Sequence, residues 1–366
     1  MSYFRRLNER VQALYGQLKK NDRWLILCVA DPDALASAMA LKRLLANRVQ
    51  AVGLGMINEI SRPDNLAMVK YLRIPIQRVT PLMAAQYDKF ALVDSQPHHS
   101  PAFADYTFSL VFDHHPQTPE YPVKANFSEI RPQYGANATL MTEFLYNAGI
   151  KPGKLLATAL LYGIKTDTQS FERNFHDADV KAFRYLSKYA NHLLLRKIVR
   201  SEFRIEWLQY FSQAFRKMRV MGEGLTAYMG EVDSSDILVI LADFFLRVHG
   251  ISWTIVSGVN DGKLINVFRG DGLRRDMGKM AQQLFNDVGS AGGHKSMARA
   301  EVPLKNLGDH HPQQFIWERL ENSKKAPKKS KLPTEHTDAG DEAPTAKVQR
   351  ASKSQKSPSA SSKKPR

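Results

Sequence analysis

Asp113, His114 and His115 follow directly on the apolar run at 108–112. An aspartate and two imidazoles fill a core poorly. At the end of a buried strand, however, they emerge together at a sheet edge, where they can hold a metal ion. Other acids share this placement: Asp31 and Asp33 follow the continuous apolar run 24–29, and Asp94 follows 89–93. Two acids at i and i+2 cannot both cap the one helix that follows them, so the pair is read as ligands. Asp167 comes at the carboxyl end of a helical stretch, where a negative charge opposes the helix dipole at a cost of up to about 1 kcal/mol. A purely structural role explains it poorly.

Asp31, Asp33, Asp94, His114, His115 and Asp167 form an oxygen-rich set with imidazole added. That mix suits Mn²⁺ or a similar cation better than a sulfur-loving metal, and no cysteine cluster is present for structural zinc. There are enough carboxylates for two cations ~3.5–4 Å apart sharing a bridging carboxylate, an arrangement that activates water and neutralises phosphoryl charge. Hydrolysis of a phosphate ester is the reaction this set fits best.

These residues need strands to carry them. Residues 24–29, 49–54, 89–93 and 107–112 read as buried strands, and 34–46, 64–72, 136–148 and 153–164 as helices. Residues 1–20 read as an amphipathic helix docked on them. Strand, acidic turn and helix in succession begin a βαβ unit, so the expected fold class is α/β, with a mainly parallel sheet flanked by helices. Residues 176–222 read as a helical connector whose arginines, interleaved with aromatics, lie on a solvated face. A smaller α/β domain follows, with strands at 226–231, 237–241, 253–259 and 264–268 and a helix at 275–286. Gly292 and Gly293 stand ahead of His294 and Lys295, a grouping that brings backbone amides and a cation to an anion but is also ordinary turn chemistry. The second Asp-His-His, at 309–311, precedes Pro312 and an amphipathic run, and reads as helix-entry chemistry. His98 and His99 read as ordinary loop residues.

The chain of 366 residues is 43% hydrophobic and carries a formal charge of +16. The expected organisation is a first domain at 1–190, a linker at 191–222, a second domain at 223–321 and a disordered basic tail at 322–366. Half of the excess charge is in that tail, which has twelve Lys and Arg against four Asp and Glu, a net of +8. It serves either as a solvated appendage or as a non-specific RNA tether. The one cysteine, Cys28, excludes an internal disulfide, no stretch is apolar enough to cross a membrane, and the charged amino terminus has no signal region. Together these point to the cytoplasm.

Four stretches in order, 31–37 (Asp-Pro-Asp-Ala-Leu-Ala-Ser), 93–94 (Val-Asp), 113–115 (Asp-His-His) and 163–168 (Gly-Ile-Lys-Thr-Asp-Thr), resemble the motifs of DHH phosphoesterases. Gly292-Gly293-His294 resembles the glycine-rich motif of the DHH-associated carboxyl-terminal domain. The resemblance covers about residues 20–305 and implies two Mn²⁺ ions at the sheet edge, with a second domain presenting substrate across a cleft. It implies that Asp94 bridges the ions, Asp31 serves the first, and Asp33, His114 and Asp167 the second. His115 would face the scissile phosphate, Asp113 would orient an imidazole, and Arg269, Gly292, Gly293 and His294 would hold the substrate's far end. Leu27 stands where nanoRNase-type members carry a metal-binding histidine, which weakens the first site. The implied substrates are short oligonucleotides or nucleotide phosphates such as 3′-phosphoadenosine-5′-phosphate. Exopolyphosphatase activity and a catalytically degenerate nucleotide- or RNA-binding protein are the alternatives, and a homodimer is left open.

Overall fold

The computed structural model of the chain describes residues 3–201 and 203–325. The first sheet is formed by β1 (Arg23–Cys28), β2 (Ala51–Met56), β3 (Ile76–Arg78), β4 (Lys89–Val93), β5 (Phe108–Asp113) and β6 (Phe127–Ile130). All neighbouring pairs are parallel, in the order β3-β2-β1-β4-β5-β6. The chain builds outward from β1 in one direction and then, from β4, in the other. The carboxyl ends of β1 and β4 therefore splay apart at a topological switch point, the place where open α/β sheets bind ligands.

Both faces of this sheet are covered, which is why its central strands read as unbroken apolar runs. In β1 the side chains alternate: Trp24, Ile26 and Cys28 pack into the core under the helices, whereas Leu25 and Leu27 join Leu92, Phe103, Phe108 and Val111 on the opposite face. The helices of this half are α1 (Asn8–Tyr15), α2 (Pro32–Leu45), α3 (Pro63–Leu72), α4 (Pro81–Ala84), α5 (Asn137–Asn147), α6 (Lys154–Asp167), α7 (Asp177–Ser187) and α8 (His192–Val199). The amino-terminal helix is shorter than its periodicity suggests, because only Asn8–Tyr15 is helical.

The remaining helices are α9 (Leu208–Lys217), α10 (Asp236–Leu246), α11 (Met277–Phe285) and α12 (Pro312–Lys325). With them comes a second sheet, ordered β11-β12-β10-β9-β8-β7, from β7 (Arg219–Met221), β8 (Gly224–Glu231), β9 (Trp253–Asn260), β10 (Lys263–Gly270), β11 (Ser290–Gly293) and β12 (Met297–Pro303). Its two faces pack against α9 and α10 on one side and α11 and α12 on the other.

Three expectations are corrected here. Residues 237–241 are not a strand but the start of α10; the apolar run continues through Phe244 and Leu246, and a run of this length fits a helix as well as it fits a strand. The glycine-rich turn is partly a strand, β11, paired with β12. The stretch expected to be disordered from 322 begins inside α12, and from 326 onward it lies outside the described residues. Among the described residues no helix is long and apolar enough to cross a membrane.

Candidate metal centre

Asp31 follows β1, Asp94 follows β4 and Asp113 ends β5, so the switch point brings three strand ends together. Asp94 holds φ of 56°, the left-handed region that few side chains other than Asn and Asp enter readily, with its amide bonded to the Phe112 oxygen at 2.8 Å. This kink turns its carboxylate back across the sheet edge. Single atoms of Asp33, Asp94, His114 and Asp167 lie within 4.8 Å of one another.

His114 is aimed by the backbone. Its Nδ1 lies 3.1 Å from the carbonyl oxygen of Tyr134, which only accepts, so Nδ1 carries the proton and Nε2 is left for a ligand. Nε2 lies 3.3 Å from Asp94 Oδ1 and 3.3 Å from Asp167 Oδ2. Neither His114 Nε2 nor Asp94 Oδ1 has a well-formed hydrogen bond, although both are buried. The 3.3 Å approach is a charge contact with poor hydrogen-bond geometry. Buried polar atoms converging on one point without proper bonds are what a cation site presents before its ion arrives, so these four residues fit a divalent metal.

Electrostatics agree with this. Burial first, then the charge of Asp167, raises Asp31 to about 6 and Asp33 well above the usual carboxylate range. Asp94 is likewise raised, by burial and then by Asp33 and Asp31. Burial alone would lower His114, but its contacts with the Asp167 and Asp94 carboxylates outweigh this and push it up to about 12. Like charges held this close are relieved by a proton or by a metal.

The carboxylate pair is placed differently from what its spacing suggested. Asp31 does cap α2, accepting from Ala34 N at 2.9 Å. Asp33 caps a different helix: its two oxygens accept from Asn137 N at 2.6 Å and Ala138 N at 2.7 Å, at the start of α5. Spacing excludes two caps on one helix but says nothing of a second helix brought alongside by the fold. Asp33 combines its capping role with a place in the cluster, whereas Asp31 stands beside it, near enough to feel Asp167 and Asp94 but outside the four-residue group. Gly163 of α6 lets Asp33 come this close, since a Cβ there would stand 3.0 Å from the Asp33 Cα and 3.0 Å from its Oδ1.

In the Asp-His-His triplet Asp113 is fully buried, whereas His115 is exposed and has a ligand atom within 4.8 Å of those of His114 and Asp94. Asp113 Oδ1 holds His115 Nδ1 at 2.8 Å, and Gln96 Nε2 holds Asp113 Oδ2 at 2.8 Å. Burial raises the Asp113 carboxyl, but His115 and Gln96 outweigh it and keep the group below its usual range. The imidazole that Asp113 orients is therefore His115, while His114 is oriented by the Tyr134 carbonyl.

Two contributors, Gln96 and Asp179, escaped the sequence reading, and a third, His99, was read there as an ordinary loop residue. His99 lies with Asp113 and His115 in a second group of potential ligand atoms and takes the Gln96 amide on Nδ1 at 3.2 Å. Gln96 is fully buried and supports Asp113. Asp179 binds Gly135 N at 2.8 Å, Thr139 Oγ1 at 2.5 Å and His176 N at 2.6 Å, fixing the loop that supplies the Tyr134 carbonyl and the amides around Asp33. Each is a polar residue beside a strand end or at a helix start, a signal too common to single out unaided. At the second triplet, His311 rather than Asp309 receives the Gln313 amide, at 3.3 Å.

A cavity of about 1040 Å³ opens beside Asp31 and Asp167 and reaches Asp243 of α10 and Arg247 just after it. Arg269 does not line it, but binds Asp243 Oδ1 at 2.6 Å at its wall. Gly292, Gly293 and His294 are not brought into its lining. Gly293 has φ of 147° and packs against the backbone of Met297 and Ala298, so its glycine identity has a structural cause. Leu27, fully buried in the apolar layer opposite the helices, supplies no ligand.

Residues 25–164 match the model of the DHH family, N-terminal domain. An uncharacterized protein of Methanocaldococcus jannaschii is 32% identical over 275 residues, 75% of this chain and 56% of that protein. The cyclic-di-AMP phosphodiesterase PdeA of Listeria monocytogenes is 27% identical over 199 residues, 53% of this chain and 29% of PdeA. The chain thus spans about half or less of the length of these curated relatives. Among solved structures, an exopolyphosphatase-related protein of Bacteroides fragilis superposes with a TM-score of 0.69 at 14% identity, covering 87% of this chain and 97% of that one. Exonuclease RecJ bound to manganese gives a TM-score of 0.51 at 15% identity, covering 89% and 97%. At these identities the two structures speak for the fold alone. With the motif residues gathered at the switch point, residues 25–164 of this chain belong to the DHH family as its N-terminal domain.

Proposed function

We propose that the protein is a Mn²⁺-dependent phosphoesterase acting on short oligonucleotides or nucleotide phosphates. The observation that carries this reading is the convergence of Asp33, Asp94, Asp167 and the Nε2 of His114, with Nδ1 locked on Tyr134. The oxygen-rich donor set favours Mn²⁺, the ion bound to RecJ in the structure that shares this fold. When bound, such an ion supplies Lewis acidity and charge neutralisation at a phosphoryl group.

The protein's own residues do the rest. Asp33, Asp94, His114 and Asp167 hold one cation, and Asp31 with Asp94 offers oxygens for another. Asp113 fixes the His115 tautomer, so His115 presents Nε2 toward the phosphate. In this reading residues 1–190 carry the chemistry, 191–222 connect, and 223–321 receive the substrate. Arg269 acts at the cavity wall through Asp243. The lone buried cysteine fits a cytoplasmic location.

One observation favours a second reading. Leu27 leaves the first cation without a nitrogen ligand, as in a metal-poor protein that binds nucleotides without turning them over. The test is incubation with Mn²⁺ and di- to pentaribonucleotides, 3′-phosphoadenosine-5′-phosphate, polyphosphate and cyclic-di-AMP, beside Asp94→Ala. Metal-dependent hydrolysis of a nucleotide substrate, lost in Asp94→Ala, is expected. Binding of RNA with no turnover of any substrate would establish the second reading instead.

A further inference from the structure

The charged, aromatic stretch between residues 196 and 219 takes no part in the metal cluster, yet it stands at the mouth of the cavity beside it. Arg200 and Phe203 line this cavity together with Lys165 of α6 and Arg247 at the end of α10. Of its acids, Asp64 is neutralised by Arg62 at 3.1 Å and Asp243 by Arg269 at 2.6 Å, Asp31 and Asp167 belong to the metal centre, and Glu172 remains. Among the described residues Lys165, Arg200 and Arg247 form no ion pair. Outside the metal centre, these three cations face Glu172 alone, an excess that favours an extended anion there over a neutral ligand.

An aromatic row begins at the same mouth. The Phe203 ring meets Phe211 at 5.5 Å, Phe211 meets Phe244 at 5.3 Å, and Phe215 lies 5.9 Å from Phe244. Phe203, Phe215 and Phe244 are 47%, 49% and 36% exposed. The row therefore leaves the cavity wall and continues over the outer surface of α9 and α10. Contiguous exposed rings bordered by cations mark a surface that something covers.

We infer that this row is a track for single-stranded nucleic acid. Bases stack on Phe203, Phe244 and Phe215, and phosphates pass Arg247, Arg200 and Lys165 on the way to the metal cluster. Stacking tolerates any base, because every base has a π-face, and the cations track the backbone. Polyphosphate has no bases to stack, and a cyclic dinucleotide has no strand to continue outward, so neither would use the outer rings. A strand is favoured over a second copy of this chain for two reasons. The row starts inside the cavity, where a folded surface cannot follow. Two copies meeting face to face would also oppose the same arginines. The inference rests on the phosphoesterase reading and extends it to strands longer than two nucleotides.

The test is fluorescence anisotropy with the full chain, Mn²⁺ and labelled phosphorothioate oligoribonucleotides of increasing length, which resist hydrolysis. Affinity should rise from the dinucleotide to about a ten-mer and fall with added salt. Phe215→Ala with Phe244→Ala should weaken the ten-mer about tenfold and flatten the length dependence, while Phe215→Tyr with Phe244→Tyr should restore both. Retained ten-mer affinity in the alanine variant would overturn the track. So would conversion of a dimer to a monomer on size-exclusion chromatography with ten-mer binding unchanged. Because binding is read without turnover, the two proposals fail separately. A chain that binds along the row but hydrolyses nothing loses the phosphoesterase reading. A chain that hydrolyses dinucleotides but ignores the rings loses the track.

Discussion

His114 donates Nδ1–H to the main-chain oxygen of Tyr134 at 3.1 Å, and this one bond decides which nitrogen faces Asp94 and Asp167. Without metal, a proton on Nε2 relieves the repulsion between its lone pair and the carboxylates.

That proton must leave before a cation can bind, so metal affinity should rise with pH. With His114 pushed up to about 12, uptake at pH 7 should release at least one proton, that of His114, with the raised Asp33 and Asp94 adding to the count, and below pH ~6 a further one from Asp31, raised to about 6. The sign for stability runs the other way. The raised His114 supports the metal-free fold fully below its ordinary value of 6.5, and this support is lost only as pH climbs through about 12. Titration calorimetry with Mn²⁺ in two buffers of unequal protonation enthalpy measures the proton count, and none released at pH 7 would remove His114 from the ligand set.

Gly163→Ala separates stability from function. Alanine favours a helix interior by about 1 kcal/mol over glycine. The new methyl, however, would stand 3.0 Å from the Asp33 backbone, which α2 holds in place. Thermal stability should change little, while Mn²⁺ affinity drops about tenfold because Asp33 shifts away from the cluster. Equal affinity in variant and parent would show that Asp33 needs no such closeness.

Leu27→His tests the first cation site. The side chain at 27 lies in an apolar layer with Leu25, Leu92 and Val111, so an imidazole there should cost about 1–3 kcal/mol without metal. If that position faces a cation, added Mn²⁺ should recover more melting temperature in the variant than in the parent. An equal Mn²⁺ shift in both proteins would mean that the metal sits beyond reach of residue 27.

Much of this protein is legible along the chain. Apolar runs ending in Asp31, Asp94 and Asp113 mark strands covered on both faces, because burial on both sides erases alternation, and their order implies a parallel sheet with acids at its carboxyl edge. Residues 237–241 were not legible, since a short apolar run satisfies strand and helix alike until its neighbours are packed.

What the sequence alone determined is which candidate residues stand at which strand ends, because residue type and local period are properties of the chain. Tertiary structure decided their division of labour, because that depends on groups distant in sequence. The carbonyl of Tyr134 turns His114 inward, the α5 amides claim Asp33, Gln96 and Asp113 take His115, and the cavity mouth gathers Lys165 with Phe203 and Arg247. No spacing rule reaches across such separations; only the packing of α2, α5 and α6 on one sheet does.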